Sequence, residues 1–263
     1  MKNFIKKLLS SLLLAYFILI GFGFAFSDQL IFLPQVPSYT LSDQHITIDS
    51  KSASNEKTTN QIIIKHIENP LSKYTILYSH GNAVDLGGLR YLQNNFYNHG
   101  YSIVTYDYSG YGHSQGRASE QQVYNDVQAV YDYLLRQKNI STDRIISYGH
   151  SLGAAIATDL AYKNSVAALV LESPFTTAFR VKTIYSIAPF DKFASIDKIQ
   201  DIHVPVFISH SKDDRVIAFW HGEELFGVAN SPKKFLSLET KGHAGITHST
   251  AFWSAFETFI SSL

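Results

Sequence analysis

The chain is 263 residues long, with 45% hydrophobic and 17% charged residues, which fits one large domain with a well-buried core and no disordered composition. Its 22 basic and 22 acidic side chains cancel and no basic run lies beyond the N-terminus, so nucleic acid is not an expected partner. Cysteine is absent, which excludes thiol catalysis, disulfides and cysteine-based metal sites.

At the N-terminus, Lys2, Lys6 and Lys7 precede an uncharged apolar run over residues 8–26. As a helix this run would span about 29 Å, close to the hydrocarbon thickness of a bilayer. It is apolar all round and longer than the apolar region of a cleaved signal peptide, and Ala25-Phe26-Ser27 is a poor cleavage site. Residues 1–27 are therefore read as an uncleaved membrane anchor, with a signal peptide as the alternative, and residues 28–263 as the folded domain. Lysines ahead of the span place the domain on the non-cytoplasmic side, periplasmic or extracellular. Cleavage would make it a secreted protein.

Residues 45–49 and 61–67 alternate through Ile46/Ile48 and Ile62/Ile64, as antiparallel strands do, around a polar loop over 50–60. From residue 74 apolar strands alternate with helices. Strands are predicted at 74–78, 102–106, 144–148, 167–171, 205–209 and 234–238. Helices are predicted around 86–98, around 120–138, over 154–161 and from about residue 247. The pattern predicts an α/β fold: a mostly parallel central sheet with helices on both faces and an antiparallel edge from the two early strands.

The strand at 144–148 runs into Gly149-His150-Ser151-Leu152-Gly153 and then a helix. Strand, G-x-S-x-G turn and helix describe a nucleophile elbow, in which the turn lifts the serine hydroxyl clear of the sheet. Serine needs a base to take its proton and the base needs an orienting acid, here in the chain order serine, acid, histidine at strand ends. Asp213 and Asp214 follow the strand at 205–209. Asp214 is preferred as the nearer to the next helix, with Asp213 and Glu172 as alternatives. Gly242-His243 follows the last strand and supplies the base. His248 falls inside the predicted C-terminal helix, and His113, His203 and His221 default to the surface.

A developing oxyanion needs fixed donors. One is the backbone N–H of Leu152, at a helix N-terminus; the other is that of Asn82, with Ala83 second, in the loop His80-Gly81-Asn82-Ala83. His80 is expected to brace that loop rather than act as a base. The glycine-rich residues 107–116 lack both the P-loop ending and the G-x-G-x-x-G spacing, and are read as a structural loop beside the site. No group has metal-ligand spacing, and neither metal nor other cofactor is expected.

Together Ser79-His80-Gly81-Asn82-Ala83, Asp107-Tyr108-Ser109-Gly110-Tyr111-Gly112, Gly149-His150-Ser151-Leu152-Gly153 and Glu172-Ser173-Pro174 resemble the signature blocks of α/β-hydrolases. The nearest branch is the small membrane-associated serine hydrolases that include the protein depalmitoylases. Ser195-Ile196-Asp197-Lys198-Ile199, Asp214 with Val216-Ile217, and Gly242-His243 extend the likeness from about residue 60 onward. The resemblance implies that Ser151, Asp214 and His243 are nucleophile, acid and base, and that residues 28–263 are an α/β-hydrolase catalytic domain. Three departures stand out. His210-Ser211 replaces the usual His-Gly, Ala244-Gly245 follows His243 where a polar pair is common, and an apolar span replaces the depalmitoylases' N-terminal cysteine cluster.

The expected activity is cleavage of carboxylic esters or thioesters through an acyl-enzyme. An aminopeptidase-like amide hydrolase and a catalytically silent membrane-anchored binding protein are the alternatives. The interval between the strands at 167–171 and 204–209 is too short for a full lid. A short cap carrying Phe175, Phe179, Tyr185 and Phe190 predicts an open, partly apolar acyl site beside the membrane. Such a site suits a medium or long acyl chain on a bulky or membrane-borne carrier.

Overall fold

The computed structural model describes residues 2–55, 57–183, 185 and 188–263. The N-terminal apolar run forms α1 (Lys2–Ile31), which has no charge between Lys7 and Asp28 and is long and apolar enough to cross a membrane. Most of it is exposed; its last turns, where Ser27 is buried, press on the domain. The helix passes the expected boundary at residue 27 and ends at Ile31, shortly before Pro34, whose ring disfavours helix at the residue preceding it.

The strands are β1 (Ile46–Lys51), β2 (Thr59–Ile67), β3 (Thr75–Ser79), β4 (Ser102–Tyr106), β5 (Ile145–His150), β6 (Ala168–Glu172), β7 (Val206–Ser211) and β8 (Lys233–Leu238). Among the described residues they form one eight-stranded sheet in the order β1-β2-β4-β3-β5-β6-β7-β8. From β4 to β8 every neighbouring pair is parallel. Strand β2 is antiparallel to both β1 and β4, so it alone runs against the rest. The expected antiparallel edge is thus a hairpin whose outer strand realigns with the sheet.

The remaining helices are α2 (Arg90–Asn98), α3 (Glu120–Arg136), α4 (Leu152–Lys163), α5 (Ser195–Ile199), α6 (Trp220–Val228) and α7 (Thr250–Ile260). One face of the sheet packs on α3 to α6 through Val127, Leu134, Ile156, Ile199 and Leu225. The other packs on α2 and α7 through Phe96, Trp253 and Phe256. Burying Phe96 and Phe256 completely stabilises the fold by roughly 1.5–3 kcal/mol each. Helix α4 is buried almost all round, and its small residues Ala154, Ala155 and Ala157 let it lie close to the middle of the sheet.

Two helices start later than the sequence predicts. Helix α2 starts at Arg90 because residues 85–89 form a turn in which the Asp85 carboxylate accepts from Gly87 and Gly88 N–H. Helix α7 starts at Thr250, which leaves His248 in a preceding 3-10 turn, Ile246–His248. In this topology the chain leaves β3 to one side for β4 and crosses back to β5 on the other. The crevice at the C-terminal ends of β3 and β5 is where an open α/β sheet places its ligand site.

Candidate active site

Ser151 stands at the end of β5 with φ 55° and ψ −117°, a left-handed conformation that costs about 1–3 kcal/mol for a non-glycine residue. The flanking glycines permit it. A Cβ on Gly149 would overlap the Gly153 carbonyl, and one on Gly153 would overlap the Ser79 carbonyl, so strand and helix could not close up otherwise.

The Ser151 hydroxyl donates to His243 Nε2 at 2.9 Å, and His243 Nδ1–H donates to Asp214 Oδ2 at 2.8 Å. His243 comes from the loop after β8 and Asp214 from the loop after β7. The other Asp214 oxygen accepts from Val216 and Ile217 N–H at 2.8 and 2.9 Å. Burial pushes the Asp214 carboxyl upward, but hydrogen bonds from His210, His243 and the Ile217 amide outweigh it and hold the group well below the usual carboxylate range. Asp214 therefore carries a fixed negative charge against the imidazole.

The alternative acids and bases lie elsewhere. Glu172 is buried and accepts from Tyr148 Oη at 2.7 Å. Asp213 faces the next loop, where it accepts from Ser211 Oγ and from the N–H groups of Lys241 and Gly242 at 2.6, 3.1 and 2.7 Å. It braces the turn that carries His243. His80 is buried among Tyr106, Tyr108 and Tyr111, and its Nδ1–H donates to the Gly81 carbonyl at 2.7 Å. Burial lowers its pKa to about 4, so it is neutral at neutral pH. The glycine-rich loop lies behind it: Tyr108 Oη donates to the His80 carbonyl and Tyr111 Oη to Asn82 Oδ1.

Asn82 and Leu152 N–H have no hydrogen-bond acceptor among the described residues, and both residues line the space around Ser151. Gly81 lets the loop approach, since a Cβ there would strike His150. Ala83, the second candidate, donates its N–H to Asn82 Oδ1 at 3.0 Å and has φ 57°.

His221 contradicts its surface expectation. It is buried in α6 with Nδ1 3.0 Å from Thr176 Oγ1, and burial lowers its pKa to about 4. His113 and His203 are exposed, as expected. Two unpredicted histidines complete the surroundings. His150, inside the elbow, donates Nε2–H to the His243 carbonyl at 2.9 Å. His210 lies 3.4 Å from Asp214 Oδ2 and donates to the Ile217 carbonyl at 3.0 Å. The first sits one place before the serine; the second became placeable only with β7 extended to Ser211, two residues beyond the expected end.

Two cavities meet at Ser151. One, of about 540 Å³, is bounded by His150, His243, Glu172, Tyr91 and His248. The other, of about 650 Å³, is largely apolar, with Leu30, Ile31 and Leu33 on one side and Phe175, Phe179 and Val181 of the short cap on the other. Phe190 backs this wall against Phe179 and Phe24, while Tyr185 is exposed.

Residues 71–195 match the family model described as serine aminopeptidase, S33. Over 267 aligned residues the chain is 35% identical to alpha/beta hydrolase domain-containing protein 17B of Homo sapiens, spanning 89% of this chain and 90% of that protein. The chain belongs to the α/β-hydrolase family. This α/β-hydrolase is also 31% identical to alpha/beta hydrolase domain-containing protein aho-3 of Caenorhabditis elegans, over 89% of its own length and 77% of the relative's. Among solved structures, an esterase from Pyrococcus furiosus matches with a TM-score of 0.70 at 16% identity, covering 88% of this chain and 96% of that one. An acylaminoacyl peptidase from Pyrococcus horikoshii matches at 0.66 and 14%, covering 83% and 40%. At these identities both show the shared fold alone, a fold that carries esterases and peptidases alike.

Proposed function

We propose that this α/β-hydrolase is a membrane-anchored serine hydrolase that cleaves carboxylic ester or thioester bonds of acylated substrates. The observation that carries the reading is the relay from Ser151 through His243 to Asp214, with the serine held in a strained conformation. Ser151 Oγ attacks the acyl carbonyl as its proton passes to His243 Nε2, and Asp214 stabilises the imidazolium through Nδ1–H. Asn82 and Leu152 N–H donate to the oxyanion, Leu152 with the help of the α4 dipole. The tetrahedral intermediate collapses, the alkoxide or thiolate leaves with the proton from His243, and water repeats the sequence on the acyl-enzyme. A silent binding protein would gain nothing from the strain at Ser151.

An ester or thioester fits better than a peptide N-terminus. An aminopeptidase needs a free carboxylate for the substrate ammonium, and Glu172, which borders the smaller cavity, is buried against Tyr148. Lys2, Lys6 and Lys7 orient α1 with its N-terminus in the cytoplasm, which leaves the domain on the opposite side of the membrane.

The test is kinetic. Nitrophenyl esters should be turned over and an aminoacyl-nitroanilide should not, and Ser151→Ala should lose about 10⁶-fold in kcat. Faster turnover of the anilide than of any ester would replace the reading with the amide hydrolase.

A further inference from the structure

We infer that α1 forms a wall of the substrate site as well as an anchor, and that Gly23 sets the length of acyl chain accepted. This rests on the acyl-transfer reading of Ser151 and deepens it. The larger cavity beside Ser151 takes one side from Gly23, Ser27, Leu30 and Ile31 of α1 and from Leu33 just beyond it. Spaced at three and four residues, the helical positions form one stripe.

That stripe is held still relative to the nucleophile. Phe32 is buried against Phe193, and Asp28 pairs with Lys192 of the cap at 2.5 Å. The Asn82 carboxamide clamps the helix end, donating to the Ile31 carbonyl and accepting from Leu33 N–H at 2.5 and 3.0 Å. The loop that offers an N–H to the oxyanion therefore also fixes the foot of the membrane helix. A passive tether would need no such seating.

From Gly23 to Ile31 the wall is about 12 Å long. An extended alkyl chain advances roughly 1.25 Å per methylene at ordinary bond lengths and angles, so about nine or ten methylenes lie along it. At Gly23 the groove meets the part of α1 whose apolar side chains are exposed, Phe22 and Leu19 among them. The occupant is the alkyl chain of a membrane-resident acyl ester or thioester. Its carbonyl sits at Ser151, its tail follows α1 towards the bilayer, and its leaving group occupies the smaller cavity.

Gly23 is half-buried, and a Cβ there would meet no atom within 4 Å. A larger side chain would enter open cavity, and it would favour the helix. The experiment uses the full-length chain in mixed micelles and reads the ratio of kcat/KM for a dodecanoyl ester to that for a butyryl ester, in which any loss of folded enzyme cancels. With each buried methylene worth about fourfold, Gly23→Leu should lower the ratio at least tenfold. Gly23→Ala should shift it the same way by less. Leu14→Ala, on the opposite face of the exposed part of α1, should leave it unmoved.

An unchanged ratio in Gly23→Leu, or an equal change in Leu14→Ala, would overturn the inference. If wild type turns over no ester of either length and Ser151 takes up no serine-directed label, the reading of the site itself has failed instead.

Discussion

The two halves of the site are built in opposite ways. The half around Ser151, His243 and Asp214 hangs from the ends of the parallel strands β5, β7 and β8, where backbone conformation and short hydrogen bonds determine each side chain. The half around the larger cavity is assembled from α1 and the cap, segments more than a hundred residues apart in sequence that meet through Phe24–Phe190, Phe32–Phe193 and Asp28–Lys192. The first is local geometry on a rigid frame, which in the proposed reading serves any acyl transfer. The second is long-range packing, to which we assign the choice of acyl chain.

This contrast can be broken by variants that act on one half alone. The largest effect is expected from Asp214→Asn, which leaves a neutral partner for His243 and should lower kcat by about 10⁴-fold for short and long acyl chains alike. A loss confined to long chains would mean that the two halves are not separable. The matched change Glu172→Gln should cost less than tenfold, since the Tyr148 hydroxyl can still donate to the amide oxygen.

A smaller effect is expected from Asp213→Ala, which removes the acceptor altogether. Its carboxylate holds the N–H groups of Lys241 and Gly242, and through them the turn that presents His243. Loosening that turn should reduce kcat about ten- to a hundredfold with KM little changed. A change in KM alone would place Asp213 on the substrate side of the molecule.

The smallest effect concerns the frame. Burial lowers the pKa of His66, His80 and His221 to about 4 in each case. On acidification the unfolded chain takes up these protons first, so their contribution to stability is complete above about pH 6.5 and is lost progressively towards pH 4. Asp107, which burial raises to about 6, acts in the opposite sense as it protonates in the folded state. His45 and His150 are lowered by burial as well and Asp126 is raised, so the histidines outnumber the raised carboxyls and the unfolded chain binds more protons in this window. The melting temperature should therefore fall steadily between pH 6.5 and 4.5. A flat or rising profile would contradict the burial of these histidines.

How far the molecule was legible follows the same division. The elbow could be read because strand, turn and helix are contiguous, and β4 coincides with its expected bounds because its five residues form a buried apolar strand between a glycine turn and a polar loop. Asp214 and His243 could be read because each stands one loop beyond a recognisable strand. In the sequence Asp213 reads only as an alternative acid, since its partners are backbone N–H groups of a turn 29 residues away. His221 was misplaced because its partner Thr176 lies 45 residues earlier, in the cap. The stripe on α1 was invisible for a different reason: in a uniformly apolar run no periodicity separates the face that meets lipid from the face that meets the cavity.

The role proposed for Ser151 as nucleophile can be read directly as a covalent adduct. Full-length protein should be treated with a fluorophosphonate, digested, and mapped by mass spectrometry. One phosphonyl adduct is expected, on the peptide containing Ser151, absent from Ser151→Ala and strongly reduced in His243→Ala. An adduct on another serine, or equal labelling of Ser151→Ala, would contradict it.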